Sequence, residues 1–207
     1  MEDSQKAKND IVYNAILGPC ERHHHQLFNY GLYNRPNDNN IKYYQLGIIA
    51  SILLEAKAVD FIITGCGTGQ GALMSLNAFS NIFCGYVSQP LDAFLFSQVN
   101  AGNAISLAFA QNFGWGSELT ITDIVEKLFS QQFGDGYPLE YQAAQAISRK
   151  AFVDMKKKMF PSVIEQLKGI DVSVIKKIID YKEFKEMFYA NAQNQEMIDF
   201  VTSVLNS

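Results

Sequence analysis

The chain lacks the marks of several large protein classes. Arginine is scarce: Arg22, Arg35 and Arg149 are spread over 207 residues, the lysines are scattered, and the net charge is −4 at pH 7. No basic stripe is present to meet a phosphate backbone, which argues against a nucleic-acid partner. No apolar run reaches the ~18–20 residues that cross a bilayer, so no membrane partner is expected. The opening "MEDSQKAKND" is polar and has no apolar h-region, so it does not read as a signal peptide. Cysteine is limited to Cys20, Cys66 and Cys84, an odd number without zinc-ligand spacing. That excludes a disulfide framework and points to a reduced, cytoplasmic setting. The run "RHHH" at 22–25 has no carboxylate at ligand spacing, and adjacent histidines do not share a face of a helix or strand. It reads as a solvated loop, and no metal site is expected. Repeats and low-complexity tracts are absent too.

Apolar material is plentiful, at 48% of the residues, enough for one well-buried core. Ala7, Ile11, Ala15 and Ile16 recur at helical spacing and predict a helix over 5–18. "QLFNYGLY" (26–33) predicts a strand closed by the turn-rich "NRPNDNN". A helix apolar on most sides follows at 41–58, then a short apolar strand at 60–66. Beyond it the pattern alternates: helix 70–79, strand 82–88, helix 90–102, strand 104–109, helix 117–129. Strands that are apolar on both faces and alternate with helices imply a parallel sheet buried between helix layers, a Rossmann-like or flavodoxin-like fold. From about residue 138 the signal is helical throughout. The chain therefore divides into an α/β unit, 1–137, and a helical extension, 138–207, that either covers a sheet face or builds a subunit interface. A doubly wound sheet usually opens on a central strand, whereas this chain opens on a helix, and "MEDSQ" looks like the loop that would follow such a strand.

The most informative stretch is "TGCGTGQGA", residues 64–72, where a strand runs through a glycine turn into a helix. Such a turn lets backbone N–H groups approach an anion, and the helix N-terminus adds a positive partial charge. A Walker loop would end in GK[ST], and Gln70-Gly71-Ala72 has neither the lysine nor the hydroxyl. Gly67, Gly69 and Ala72 fit G-x-G-x-x-A, but the acid expected at the end of the next strand is missing from "VSQP", so a dinucleotide fits poorly. That leaves Cys66. Free cysteines are commonly small buried hydrophobes. At the carboxyl end of a strand and beside a helix N-terminus, a thiol instead gains thiolate character and can act as base or nucleophile. Ligands of open α/β sheets bind at that end of the strands, which favours the second reading.

The stretches "GCGTGQGALMSLNAF" and "CGYVSQPLDAFLFSQVNAGNAISLAF", with their C-G-T-G-x-G turn and N-x-x-N before a strand, resemble the ribose-5-phosphate isomerase B / galactose-6-phosphate isomerase family over residues 2–137. "FGWGSELTITDIVEKLFSQQFGDGYP" looks like a longer branch of it. The resemblance implies an aldose–ketose isomerase that works through a cis-enediolate without metal or cofactor. It places Cys66 as general base, with Thr68 beside it. Gly67, Gly69, Gln70 and Gly71 complete the turn that stabilises the enediolate oxygen. It also implies Asn100 near the substrate oxygens, Tyr43 at the site wall, and Glu2 near the substrate hydroxyls. The expected partner is a small sugar or sugar phosphate, and the expected assembly is a homodimer or a dimer of dimers, because family sites are completed by the neighbour.

Two departures stand out. Val99 occupies the position of the family's ring-opening histidine and cannot transfer a proton. Tyr137 and Tyr141 occupy the positions of its phosphate-clamping arginines, with Arg149, Lys150 and Arg35 as the nearest cations in the chain. A non-catalytic sugar or sugar-phosphate binding module of the same fold is the alternative these departures favour. Of the remaining features, Cys84 reads as core and "MKKKM" (155–159) as a solvated helix face. Trp115 in "GWG" reads as a packed aromatic ahead of a sugar-stacking one.

Overall fold

A computed structural model describes residues 1–35, 40–111 and 113–207; most of the "NRPNDNN" turn lies outside these. The chain opens with a 3₁₀ turn, Asp3–Lys8, that runs into α1, Asn9–Arg22. A second 3₁₀ turn, Tyr43–Gln45, leads into α2, Leu46–Glu55. Three strands follow, β1 Ile62–Cys66, β2 Cys84–Tyr86 and β3 Ala104–Ala108, with α3, Gln70–Asn77, and α4, Pro90–Leu95, between them. All pairings are parallel and the order is β1-β3-β2. Ile62 stands opposite Ala104 and Cys66 opposite Ala108. Because the strands point one way, the sheet has a distinct carboxyl edge, and it carries Cys66.

The two faces of the sheet are buried in separate apolar layers. On one, α1 and α5, Ser117–Leu128, set Val12, Ile16, Ile124 and Leu128 against Ile105 and Leu107. On the other lies α2, whose residues Leu46 to Leu53 are all buried. A helix that is apolar all round needs cover on both sides. Its outer cover is α7 Val163–Lys168, α8 Val172–Ile179, α9 Lys182–Asn191 and α10 Gln195–Asn206. Leu167, Ile178, Phe184, Phe188 and Val201 join the cluster that holds Ile52 and Leu76. The architecture is the expected Rossmann-like sandwich. α6, Gln142–Met159, behaves differently: in 18 residues it buries Lys156 alone.

The predicted strand 26–33 does not form. A strand needs a neighbour to take its backbone groups, and no strand lies beside this segment among the described residues. Its polar groups turn to side chains instead. Asn29 and Asn9 pair through their amides at 2.7 Å, and the Gly31 N–H donates to Asn29 Oδ1. Leu32 is buried, and the Tyr30 ring meets Phe184 edge-on. The predicted helix 90–102 stops at Leu95 and passes into a π turn, Phe96–Asn100, which ends at Ala101 in the left-handed region, φ 46°.

Candidate active site

Cys66 ends β1 and is buried. The chain then turns through Gly67 and Thr68 to Gly69, whose φ of 74° is one that L side chains rarely adopt. The turn is fixed from several directions. Phe109 N–H donates to the Cys66 carbonyl at 2.9 Å, and Ala110 and Gln111 N–H donate to that of Gly67. The buried Ser106 hydroxyl donates to the Gly69 carbonyl at 2.6 Å. Thr68 Oγ1 accepts from Gln70 N–H, which starts α3. Tyr43 packs on Gly71 so closely that a Cβ there would stand 2.8 Å from its ring. Tyr86 lies equally close to Gly69, 2.7 Å from the corresponding point. Thr68 and Gln70 are exposed, so the turn opens to solvent beside the buried thiol.

The 3₁₀ turn at the chain's start forms a second wall. Glu2 N–H donates to the Gly65 carbonyl, one residue before Cys66, and the Glu2 carboxylate accepts from Ser4 N–H. The Gln5 side-chain amide lies close to Gly67 and donates to Ser4 Oγ. Lys8 donates to Gln5 Oε1 and to the Phe109 carbonyl. Gln5, Lys8 and Tyr86 were not among the sequence candidates. Their one signal was the short chain distance of Gln5 and Lys8 from Glu2; nothing marked Tyr86.

Glu2, Tyr43 and Cys66 to Gly71 are thus brought together. Asn100 is not. It is exposed on the π turn that precedes β3, at the amino edge of the sheet, whereas Cys66 lies at the carboxyl edge. Val99 and Tyr137 lie at the amino edge too. Arg149 of α6 donates to the carbonyls of Val99 and Gly134, both at 3.0 Å, and Tyr137 meets Phe94. Arg35 pairs with Glu183, and Lys150 is exposed on α6. Trp115 is not packed: it stands fully exposed on the loop after β3, at the Cys66 edge. The GWG loop surrounds it with glycines, which offer no side chain to cover an indole.

The other two thiols are poor candidates for chemistry. Burial raises the Cys20 thiol above its usual range and pushes Cys84 up to about 12, against the pull of Lys156. Among the described residues no cluster of His, Cys, Asp and Glu could hold a metal; His23 instead pairs with Glu126. Among the described residues no helix is long and apolar enough to cross a membrane.

Two family models match the chain: one described as ribose/galactose isomerase over residues 3–143, and one described as ribose-5-phosphate isomerase over 160–204. No curated protein matches it. Among solved structures, a 4-deoxy-L-threo-5-hexosulose-uronate ketol-isomerase complexed with a tartrate is 40% identical, with a TM-score of 0.97 over 100% of this chain and 97% of that one. A ribose-5-phosphate isomerase from Vibrio parahaemolyticus is 45% identical, with a TM-score of 0.95 over 99% and 96%. The type B ribose 5-phosphate isomerase of Leishmania infantum, at 13% identity and a TM-score of 0.59, shares the fold, covering 77% of this chain and 94% of its own.

Proposed function

The chain belongs to the ribose/galactose isomerase family, and on that premise we propose a cofactor-independent aldose–ketose isomerase with Cys66 as its general base. The observation that carries this reading is the union of Cys66 with an open glycine turn at the carboxyl edge of a parallel sheet. In the aldose-to-ketose direction the Cys66 thiolate takes the proton from C2. That electron pair forms the C1–C2 double bond as the C1 carbonyl oxygen gains a proton. The thiol then returns its proton to C1, O2 loses its hydroxyl proton, and the C2 carbonyl forms. Amides of the Gly67–Gly71 turn and the Thr68 hydroxyl stabilise the enediolate oxygens.

The substrate we favour is an open-chain ketol bearing a carboxylate, of the kind named for the uronate ketol-isomerase. An open chain needs no ring-opening histidine, which accounts for Val99. Each of the three arginines is already engaged away from the Cys66 turn, on Glu126, Glu183 or backbone carbonyls. A dianionic phosphate would lack the bidentate partners it prefers, whereas the single charge of a carboxylate is within the means of Lys8. Proton NMR in D₂O with 4-deoxy-L-threo-5-hexosulose uronate, ribose 5-phosphate and galactose 6-phosphate tests this. Deuterium entering C1 or C2 of the uronate, and absent with Cys66→Ala, is the expected result. Exchange confined to the phosphates would overturn the carboxylate reading, and saturable binding without exchange would leave the non-catalytic binding module.

We further propose that the working form is a homodimer in which a second copy brings its Asn100 to this Cys66. Asn100 and Cys66 lie at opposite sheet edges, which a two-fold axis can bring together. α6, tied to Val99 through Arg149, exposes Ile147, Phe152, Met155 and Met159. An 18-residue helix that leaves such side chains bare has little to hold it in water. The double variant Ile147→Asp/Phe152→Asp should run at the monomer mass in light scattering and lose isomerase activity. A dimer mass with full activity would rule out α6 as the interface.

A further inference from the structure

The 3₁₀ turn beside the Cys66 turn holds a chain of polar side chains that runs in one direction. Lys8 Nζ donates to Gln5 Oε1 at 2.8 Å, Gln5 Nε2 to Ser4 Oγ at 2.8 Å, and Ser4 Oγ to Glu2 Oε2 at 3.0 Å. Lys8 also donates to the Phe109 carbonyl and stands over the Phe113 ring, so its end of the chain is fixed. An ammonium has donors and no acceptor, which settles the orientation of the Gln5 amide: Oε1 faces Lys8, and Nε2 faces away from it. A charged donor at one end and a carboxylate at the other polarise the groups between them, and that makes Nε2 a stronger donor.

Nε2 carries two hydrogens, and Ser4 takes one of them. The other has no partner among the described residues. Gln5 is only 8% exposed, and a donor left unpaired in a buried side chain is costly. Its place is the Cys66 turn. A Cβ built on Gly67 would rest on Nε2 at 3.6 Å, so the glycine leaves this nitrogen open beside the turn, one residue after Cys66. We propose that Gln5 is a further catalytic residue, whose spare N–H donates to the substrate oxygen that gains negative charge as Cys66 takes the carbon-bound proton. The amide gives up no proton. It stabilises the enediolate alongside the turn amides, because it is in position before the charge develops. Lys8 acts through it, as the positioning residue that holds the amide in this sense. The assignment rests on the isomerase reading of the Cys66 turn.

Amide NMR tests the contact without turnover. In Cys66→Ala, the Gln5 side-chain amide protons are identified by their loss in Cys66→Ala/Gln5→Met, and the uronate or ribose 5-phosphate is then added. One Gln5 proton should move downfield together with the Gly67 and Gly69 N–H groups, while the proton held by Ser4 stays. Movement of the glycines alone would overturn the role of Gln5 and leave the isomerase reading standing. No movement of either, with both ligands, would overturn the two together. Kinetics supplies a second test. Gln5→Met and Gln5→Glu should each lower kcat about 100-fold, the cost of one oxyanion donor, and change KM little. Gln5→Glu keeps the shape of the side chain and its bond to Lys8 and loses the donor. A merely structural role predicts that it restores the rate, and a kcat within ~10-fold of the unmutated protein would overturn the proposal.

Discussion

Cys66→Ala is expected to lower the rate of sugar isomerisation by about 10³-fold and to leave the fold standing. A positioned acid–base group contributes ~10²–10⁴-fold, and this reaction depends on one group that both takes and returns the carbon-bound proton. The structural cost is small, because one sulfur atom is removed from a strand end already surrounded by apolar side chains; a loss of about 1 kcal/mol is in line with a small core truncation. The comparison is therefore kcat against thermal melting. A large fall in kcat with a melting point within a few degrees assigns Cys66 to the chemistry. Retention of the rate within ~10-fold would remove it from that role. Iodoacetamide gives an independent reading, since burial raises the thiols of Cys20 and Cys84 and disfavours their thiolates. Alkylation near neutral pH should fall on Cys66 and inactivate the protein; modification spread evenly over all three would contradict the assignment.

Phe184→Ala should be the more damaging change to stability, by ~3–5 kcal/mol, with a melting point lower by roughly 10 °C. Phe184 is fully buried, stacks on Phe188 with centroids 5.5 Å apart, and meets Tyr30 edge-on at 5.8 Å. It is part of what covers α2, so its loss is felt by the sandwich as well as by α9. Tyr189→Ala on the same helix is the control: Tyr189 is 45% exposed, and its loss should cost far less. Matching melting points for the two variants would mean that α7–α10 do not stabilise the sandwich. The same packing bears on truncation. Ending the chain near residue 150 removes Leu167, Ile178, Phe184 and Phe188 from the cluster around Ile52. It is thus a poor probe of subunit contacts, and substitutions on the surface of α6 are the cleaner ones.

Much of the fold was legible because its signals were local. β1, α3 and β3 are marked by apolar runs broken by glycine, and α5 by helical periodicity between Gly116 and Phe129. The covered helix α2 announced itself by being apolar on nearly every side. The segment 26–33 was misread for a reason no local pattern contains: a strand exists by virtue of its neighbour, and Leu27, Phe28 and Tyr30 have strand character without one beside them. The π turn at Phe96–Asn100 was equally hidden, since a one-residue widening of a helix leaves the apolar spacing almost unchanged. In the candidate site, the Cys66 turn could be read because glycines and a cysteine are conspicuous at a strand end. Gln5, Lys8 and Tyr86 could not, because chain folding rather than spacing brings them to Gly67 and Gly69. Trp115 was misjudged because a lone tryptophan usually packs, and its exposure follows from the bareness of its glycine neighbours.

The parallel register has a consequence for how such a protein responds to dilution. Cys66 and Asn100 belong to opposite ends of the same sheet. If a working centre needs both, an isolated subunit holds two incompatible halves and no complete centre. Activity would then not decline by half on dissociation; it would vanish, and the subunit affinity would set the lowest concentration at which the protein turns over substrate at all.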